Sequence, residues 1–309
     1  MSVQIRDPRF GDVVGEDAEI EQIATGFGFT EGPIWHPEQH FLIFSDMRHD
    51  HQRRWSAADG VSTYRHPSNK ANGSAFDRQG RVVSCEHQTS RVVRIEGDGI
   101  ETVLASHFDG RELNSPNDIV VRSDGAIYFT DPTYGRARED IGLLRAIEQP
   151  HQGLYRIDPD SGAVGLLVDD FWQPNGLCFS VDERKLFVND TPRFHVRAFD
   201  VAADGDVSGG DVWAETLDSN GEKPDGRHPD TPPGMKPDGM KVDREDNLYV
   251  VGPGGVHVFA PNATCLGVIL VPEHTTNFAF GDADFRSLYI TASASVYRVR
   301  VKVPGFAAF

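Results

Sequence analysis

Gly-Met-Lys-Pro-Asp-Gly-Met-Lys-Val-Asp, residues 234–243, sets Asp238 in a Pro-Asp-Gly turn, and the apolar run Leu248-Tyr-Val-Val251 follows it. The same arrangement, an oxygen-bearing side chain, a polar or Gly-rich turn, then a short run of Val, Ile, Leu, Phe or Tyr, occurs six times. Its polar members are Glu31, Asn72, Asn117, Asn175, Asp238 and Asn277. Measured to Leu42, Val82, Ile127, Leu186, Leu248 and Leu288, each lies 10 or 11 positions upstream. The aligned apolar positions are 40, 45, 59, 62 and 40 residues apart. Periods of about 40 to 50 residues with several strands each are those of propeller blades.

Weaker strand signals follow each copy: Arg91–Ile95, Gly153–Ile157, His195–Phe199, Gly255–Phe259 and Val296–Arg300 alternate in the period-two manner of half-buried strands. The expected fold is therefore all-β, a six-bladed propeller of four-stranded blades around a central channel, with residues 1–309 forming one domain. Residues 1–29 are expected to contribute a strand, near Ala18–Ile23, that closes the ring against the other terminus. The irregular intervals mark two insertions. Arg136–Gln149, with helix-forming residues in its second half, is either a lid or a surface turn, and Leu217–Lys236 is a loop leading into Asp238.

Composition bounds the partners. A net charge of −17 on 309 residues disfavours nucleic acid and anionic membranes, which reward clustered Lys and Arg. No apolar run is long enough for a membrane helix. The N-terminal Met1–Arg9 lacks the apolar core of a signal peptide, and the three cysteines, Cys85, Cys178 and Cys265, read as reduced thiols, so a cytoplasmic location is expected. Nothing in the sequence fixes the oligomeric state.

In a propeller the first strand of each blade lines the channel, so residues at one offset form a ring around the axis. Two carboxylates and four carboxamides there are hard oxygen donors suited to Ca²⁺ or Mg²⁺, with Mn²⁺ possible. The competing reading, that Asn and Asp before Gly are turn formers, explains one such pair better than six in register.

These residues also resemble a known family. Thr30-Glu-Gly-Pro-Ile-Trp35, Asn114-Ser-Pro-Asn-Asp118, Tyr128-Phe-Thr-Asp-Pro-Thr-Tyr-Gly135, Gln173-Pro-Asn-Gly-Leu177 and Pro237-Asp-Gly-Met-Lys-Val-Asp243 resemble the motifs of the gluconolactonase and regucalcin (senescence marker protein) family, in order, from about Phe29 to about Thr291. The Asp131–Gly135 turn and Cys85-Glu86-His87 are closer to its bacterial gluconolactonase branch. The resemblance implies one divalent cation in the channel, Ca²⁺ foremost and Zn²⁺, Mn²⁺, Mg²⁺ or Fe²⁺ as alternatives, held by Glu31, Asn175 and Asp238. It places Asn117 nearby as a ligand or substrate contact, with Asn72, His87, Tyr134 and Asn277 as further substrate-side residues. Some members carry an Arg two residues before the position of Asn117; here it is Ser115, so substrate recognition is arranged differently.

The implied activity is hydrolysis of a small, sugar-type lactone. The cation would polarise the carbonyl, and Asp238 would act as general base, although a carboxylate on a cation is a weakened base and hydroxide on the cation is the alternative nucleophile. No Gly-x-Ser-x-Gly elbow or His-Glu-x-x-His motif is present. Two other readings stay open: a phosphotriesterase resembling diisopropyl fluorophosphatase, and a non-catalytic calcium- or ligand-binding propeller.

Overall fold

The computed structural model describes residues 2–223 and 236–307. It is a six-bladed β-propeller. The six inner strands are Thr30–His36, Ala71–Phe76, Ile119–Val121, Pro174–Phe179, Met240–Val242 and Thr275–Gly281, and each begins an antiparallel meander that runs outward. The apolar runs of the repeat are the second strands: Phe41–Asp46, Val82–Glu86, Ile127–Asp131, Lys185–Asp190, Leu248–Gly252 and Ser287–Ala292. Every one of those residues but Lys185 is buried, because a second strand is covered by a neighbouring blade on both faces.

Burial is organised by junction rather than by blade. Six apolar clusters fill the six spaces between adjacent blades. Blades six and one meet through Trp35 and Tyr289, whose rings stack at 5.0 Å and 7°. Such a ring has no free sheet edge in its interior, and its large nonlocal core is the main source of stability.

Ile20–Thr25 forms the outer strand of blade six, paired antiparallel with Ser295–Arg300, so a segment from before blade one completes the last blade. Upstream, Val3–Ile5 adds a fifth strand to blade five against Cys265–Leu270, and Phe10, Val13 and Val14 of a short helix enter the core between blades five and six. That fifth strand departs from uniform four-stranded blades. Its sequence is too short and polar to have signalled a strand.

The insertions differ from expectation in detail. A two-stranded hairpin, His107–Phe108 with Arg111–Glu112, intervenes between blades two and three. At the Arg136–Gln149 insertion the helical turn is Tyr134–Ala137, ahead of the helix-forming residues, while the stretch after it carries no helix. Hydrogen bonds explain this: the Arg136 guanidinium is buried and donates to the carbonyls of Asn114, Leu113 and Ala146, and Leu143 N–H donates to Gly135 O at 2.8 Å. Those tertiary bonds outweigh local helix propensity. Of the Leu217–Lys236 loop, residues 224–235 lie outside the described residues.

Hydroxyls and carboxamides at the third position after the aligned apolar residue tie one blade to the next. Ser45 Oγ donates to Asn72 O at 2.8 Å, Thr130 Oγ1 to Asn175 O at 2.8 Å, and Asn189 Nδ2 to Asp238 O at 2.5 Å. Each bond takes the main-chain carbonyl of a ring residue toward the preceding blade.

Candidate functional site

The ring residues follow one another around the channel in blade order. A Cβ on Gly32 would lie 1.9 Å from Asn72 O, on Gly73 2.5 Å from Asn117 O, on Gly176 2.1 Å from Asp238 O, and on Gly239 2.1 Å from Asn277 Oδ1. The glycines after four of the ring residues are therefore there for close approach of the neighbouring strand, not for turn formation alone. Thr276 Oγ1 donates to Thr30 O at 2.7 Å and closes the circle between blades six and one.

Glu31, Asn72, Asn117, Asn175 and Asn277 are buried, and Asp238 is half-buried. Glu31 Oε2 accepts the Gly32 N–H at 2.8 Å. Burial holds the Glu31 carboxyl well above the usual carboxylate range; the neighbouring Asp118 raises it further, while Gly32 N–H, Asn277 and Lys241 oppose the shift. Asp238 is raised by burial and then by Glu31 and Asp118, with Asn175 and the Gly239 N–H favouring its charged form. Asn175 Nδ2 also donates to Thr191 Oγ1 at 3.2 Å. The Tyr134 hydroxyl is buried without a hydrogen-bond partner, with Thr191, Asn175 and Asp238 around it.

Two members of this centre were not singled out from the sequence. Asp118, directly after Asn117, is 3% exposed. Its Oδ1 accepts the Ile119 N–H at 2.9 Å, and its Oδ2 is buried with no partner. Lys241 supplies the positive charge felt by both Glu31 and Asp118. The signal was in the repeat: four ring residues are followed by Gly, whereas Asn117 is followed by an acid and Asn277 by Phe.

His87 stands one step behind the ring. It is 1% exposed, and Asn72 Nδ2 lies 3.1 Å from its Nε2. Burial pushes its pKa down to about 4, so the ring is neutral. The charge of Arg138, on the 136–149 insertion, is felt by both His87 and His274, which come from blades two and six. Ser115 faces away from any ligand: its Oγ donates to Pro132 O at 2.6 Å and accepts the Gly135 N–H at 3.0 Å, bracing the Tyr134 turn.

Among the described residues no three His, Cys, Asp or Glu side chains converge closely enough to hold an ion by themselves. A mixed set does fit a cation. Asp118 raises the Glu31 carboxyl, Glu31 and Asp118 together raise that of Asp238, and Asp118 Oδ2 is buried without a close hydrogen bond. Oxygen donors of this kind select hard divalent ions.

A cavity of about 330 Å³ opens at the opposite end of the inner strands, lined by Trp35, Phe76, Phe179, Phe280 and Phe306 with Lys241. None of the eight residues proposed from sequence lines it.

Comparison with known proteins agrees with this architecture. Residues 29–294 match the model of the SMP-30/gluconolactonase/LRE-like region. The chain is 31% identical to a gluconolactonase of Zymomonas mobilis over 96% of its own length and 85% of the relative's, and 26% identical to a pentonolactonase of Haloferax volcanii over 85% and 81%. A solved gluconolactonase of Xanthomonas campestris superposes with a TM-score of 0.87 at 30% identity, covering 97% of this chain and 95% of that one. A calcium-binding regucalcin from Agrobacterium tumefaciens shares the fold, with a TM-score of 0.73 at 16% identity over 94% and 96%.

Proposed function

The chain belongs to the SMP-30/gluconolactonase/LRE-like family, and from that premise we propose that it is a lactonase opening a small, sugar-type lactone to the hydroxy acid. The observation that carries this reading is Asp238, a half-buried residue of the ring whose carboxylate is flanked by Asn175, Glu31 and the Tyr134 hydroxyl.

Glu31, Asn175 and Asp238 are the residues that would hold a divalent cation, Ca²⁺ first among candidates, and a cation there supplies polarisation of the lactone carbonyl. The protein's own groups do the remainder. Asp238 takes a proton from the attacking water; its high intrinsic pKa makes it a competent base once it is ionised. Asn117 and Tyr134 bound the substrate side, the first with a carboxamide and the second with a hydroxyl beside Thr191 and Asn175 that can donate to the ring or carbonyl oxygen. The product carries a new carboxylate. Repulsion from Glu31, Asp118 and Asp238, within a chain of net charge −17, favours its release.

The free thiols Cys85, Cys178 and Cys265 suit a reducing compartment, and the cytoplasm is the proposed location. The test is a panel of aldonolactones with and without chelator, on wild type, Asp238→Asn and Asp238→Ala. Chelation should abolish hydrolysis and metal addition restore it, and both variants should lose about a thousandfold or more in kcat while keeping the wild-type circular dichroism. Full activity in Asp238→Ala removes Asp238 as the base. Including a phosphotriester in the panel separates the phosphatase reading.

A further inference from the structure

The two ring nitrogens of His87 join the 136–149 insertion to the ring. Nδ1 lies 3.2 Å from the main-chain carbonyl of Ile141, a residue of the insertion that is 4% exposed. A carbonyl can only accept, so Nδ1 carries the proton. In a neutral imidazole Nε2 is then a lone pair, and it accepts from Asn72 Nδ2 at 3.1 Å. Burial, which pushes this histidine's pKa down to about 4, keeps the ring in that neutral form at working pH. The chain of donors has one consequence. With its NH₂ committed to His87, the Asn72 carboxamide is fixed in one orientation, and its Oδ1 is buried with no partner in the protein.

The rest of Asn72 is equally constrained. Its main-chain carbonyl accepts from Ser45 Oγ at 2.8 Å and is packed on Gly32, the residue after Glu31. The insertion that supplies Ile141 is itself clamped to blades two and one: Arg145 Nη1 donates to Gln88 O of blade two at 2.6 Å, and Arg48 of blade one pairs with Asp140 at 3.0 Å. An unpaired buried carbonyl oxygen is costly unless a ligand satisfies it.

We propose that His87 is a positioning residue: relayed from the Ile141 carbonyl, it aims Asn72 Oδ1 into the channel as a fixed acceptor for a hydroxyl of the lactone. The inference rests on the lactonase reading for the identity of the ligand, but the relay itself does not. It makes the protein selective for hydroxylated lactones, because a site built to bind a hydroxyl loses a hydrogen bond to a substrate lacking it. It also makes the 136–149 insertion part of the specificity apparatus, through a main-chain atom that no substitution of Ile141 itself can remove.

The test compares D-glucono-δ-lactone, which carries hydroxyls, with δ-valerolactone, which has none, on His87→Phe, His87→Gln, Asn72→Ala and the double variant Asn72→Ala/His87→Phe. The ratio of kcat/KM for the first lactone over the second should fall about tenfold or more in His87→Phe and Asn72→Ala, mainly through KM. His87→Gln, which can still accept from Asn72, should retain most of the ratio, and the double variant should be no worse than Asn72→Ala. An unchanged ratio in His87→Phe, or additive losses in the double variant, overturns the proposal; equal losses on both lactones identify a merely structural role and overturn it too. Nitrogen-15 spectra of the imidazole rings provide a readout independent of turnover. They should show His87 as the neutral Nδ1–H tautomer with an Nε2 signal that moves in Asn72→Ala, and an Nε2–H tautomer refutes the relay. If wild type hydrolyses no lactone, the functional reading fails while this spectrum still decides the relay.

Discussion

Asp118 puts a third carboxylate near Glu31 and Asp238, its charged form favoured by Lys241, the Ile119 and Leu177 N–H groups and Asn277. Coulomb attraction to a divalent ion survives over several ångströms at the effective dielectric of a protein interior, so a charge behind the ligands strengthens binding without touching the ion. Asp118→Asn keeps the shape and the acceptor for Ile119 N–H while removing that charge. Its Ca²⁺ affinity by calorimetry or chelator competition should fall about tenfold or more, and an unchanged affinity would show that Asp118 is neutral or screened. A second buried group sets an acid limit. His257 is fully buried, with Nε2 2.9 Å from Pro253 O, and burial pushes its pKa from 6.5 down to about 4. Between those pH values the unfolded chain binds the proton and the native protein does not, so stability contributed by the neutral ring is complete above pH 6.5 and is lost as pH falls toward 4. The loss has a ceiling of about 3 kcal/mol. Asp131, buried and raised to about 7, has the opposite sign, its contribution declining as pH rises toward 7, so the measurement is the difference in melting temperature between wild type and His257→Gln across pH 4 to 7. That difference should shrink or reverse toward the acid end. At this scale the ring was legible because six oxygen-bearing residues share one offset, whereas Asp118 and Lys241 were not, since each belongs to a single blade and a repeat reveals only what recurs.

The second strand is the element that both builds the core and positions the ring. Its aligned apolar residue faces a junction, and three positions on a polar side chain reaches the next blade. Thr130 shows the coupling most directly, because its hydroxyl donates to Asn175 O at 2.8 Å and accepts the Asp118 N–H at 3.2 Å. One side chain thus fixes a ring residue of blade four and the acid of blade three. Thr130→Val keeps the shape and deletes both bonds, leaving two buried main-chain groups unpaired, and should cost about 2 kcal/mol in denaturant unfolding with a measurable loss of Ca²⁺ affinity. A stability change without an affinity change would mean that the tie serves the core alone. Acids four positions after the aligned residue close blades one to four at the same end. Asp46, Glu86, Asp131 and Asp190 are all fully buried and accept from main-chain N–H groups or arginines of the entry loops. The second strands were legible as apolar runs, yet this second register of acids was not read as a pattern. Buried carboxylates satisfied by nearby donors look, in one dimension, like the polar start of a turn.

At the scale of the whole molecule the ring is held shut by a segment that precedes it. Ile20–Thr25 pairs along Ser295–Arg300, and without it the last blade would present an unpaired edge. The segment before it acts differently: Val3–Ile5 only widens blade five, while Phe10, Val13 and Val14 fill the junction of blades five and six. These three roles can be separated by truncation. Removing residues 2–6 takes away one peripheral strand and should lower the melting temperature by a few degrees at most. Removing 2–17 also deletes three buried side chains, of which Phe10 is fully buried, and should cost several kcal/mol in all, since burial of one such side chain is worth about 1.5 to 3 kcal/mol. Removing 2–27 adds the loss of the closing strand. That last step should be qualitatively distinct, because an exposed, hydrogen-bonding edge on Ser295–Arg300 invites pairing between copies, so size-exclusion chromatography should show oligomers or aggregate where the shorter truncations stay at the wild-type elution volume. The mouth of the channel lies between blades that this strand keeps in register, and Ca²⁺ affinity should fall with closure rather than with the first two cuts. A 2–27 truncation that elutes and melts like wild type would place the stability of the ring in its inter-blade clusters alone and leave Ile20–Thr25 as decoration.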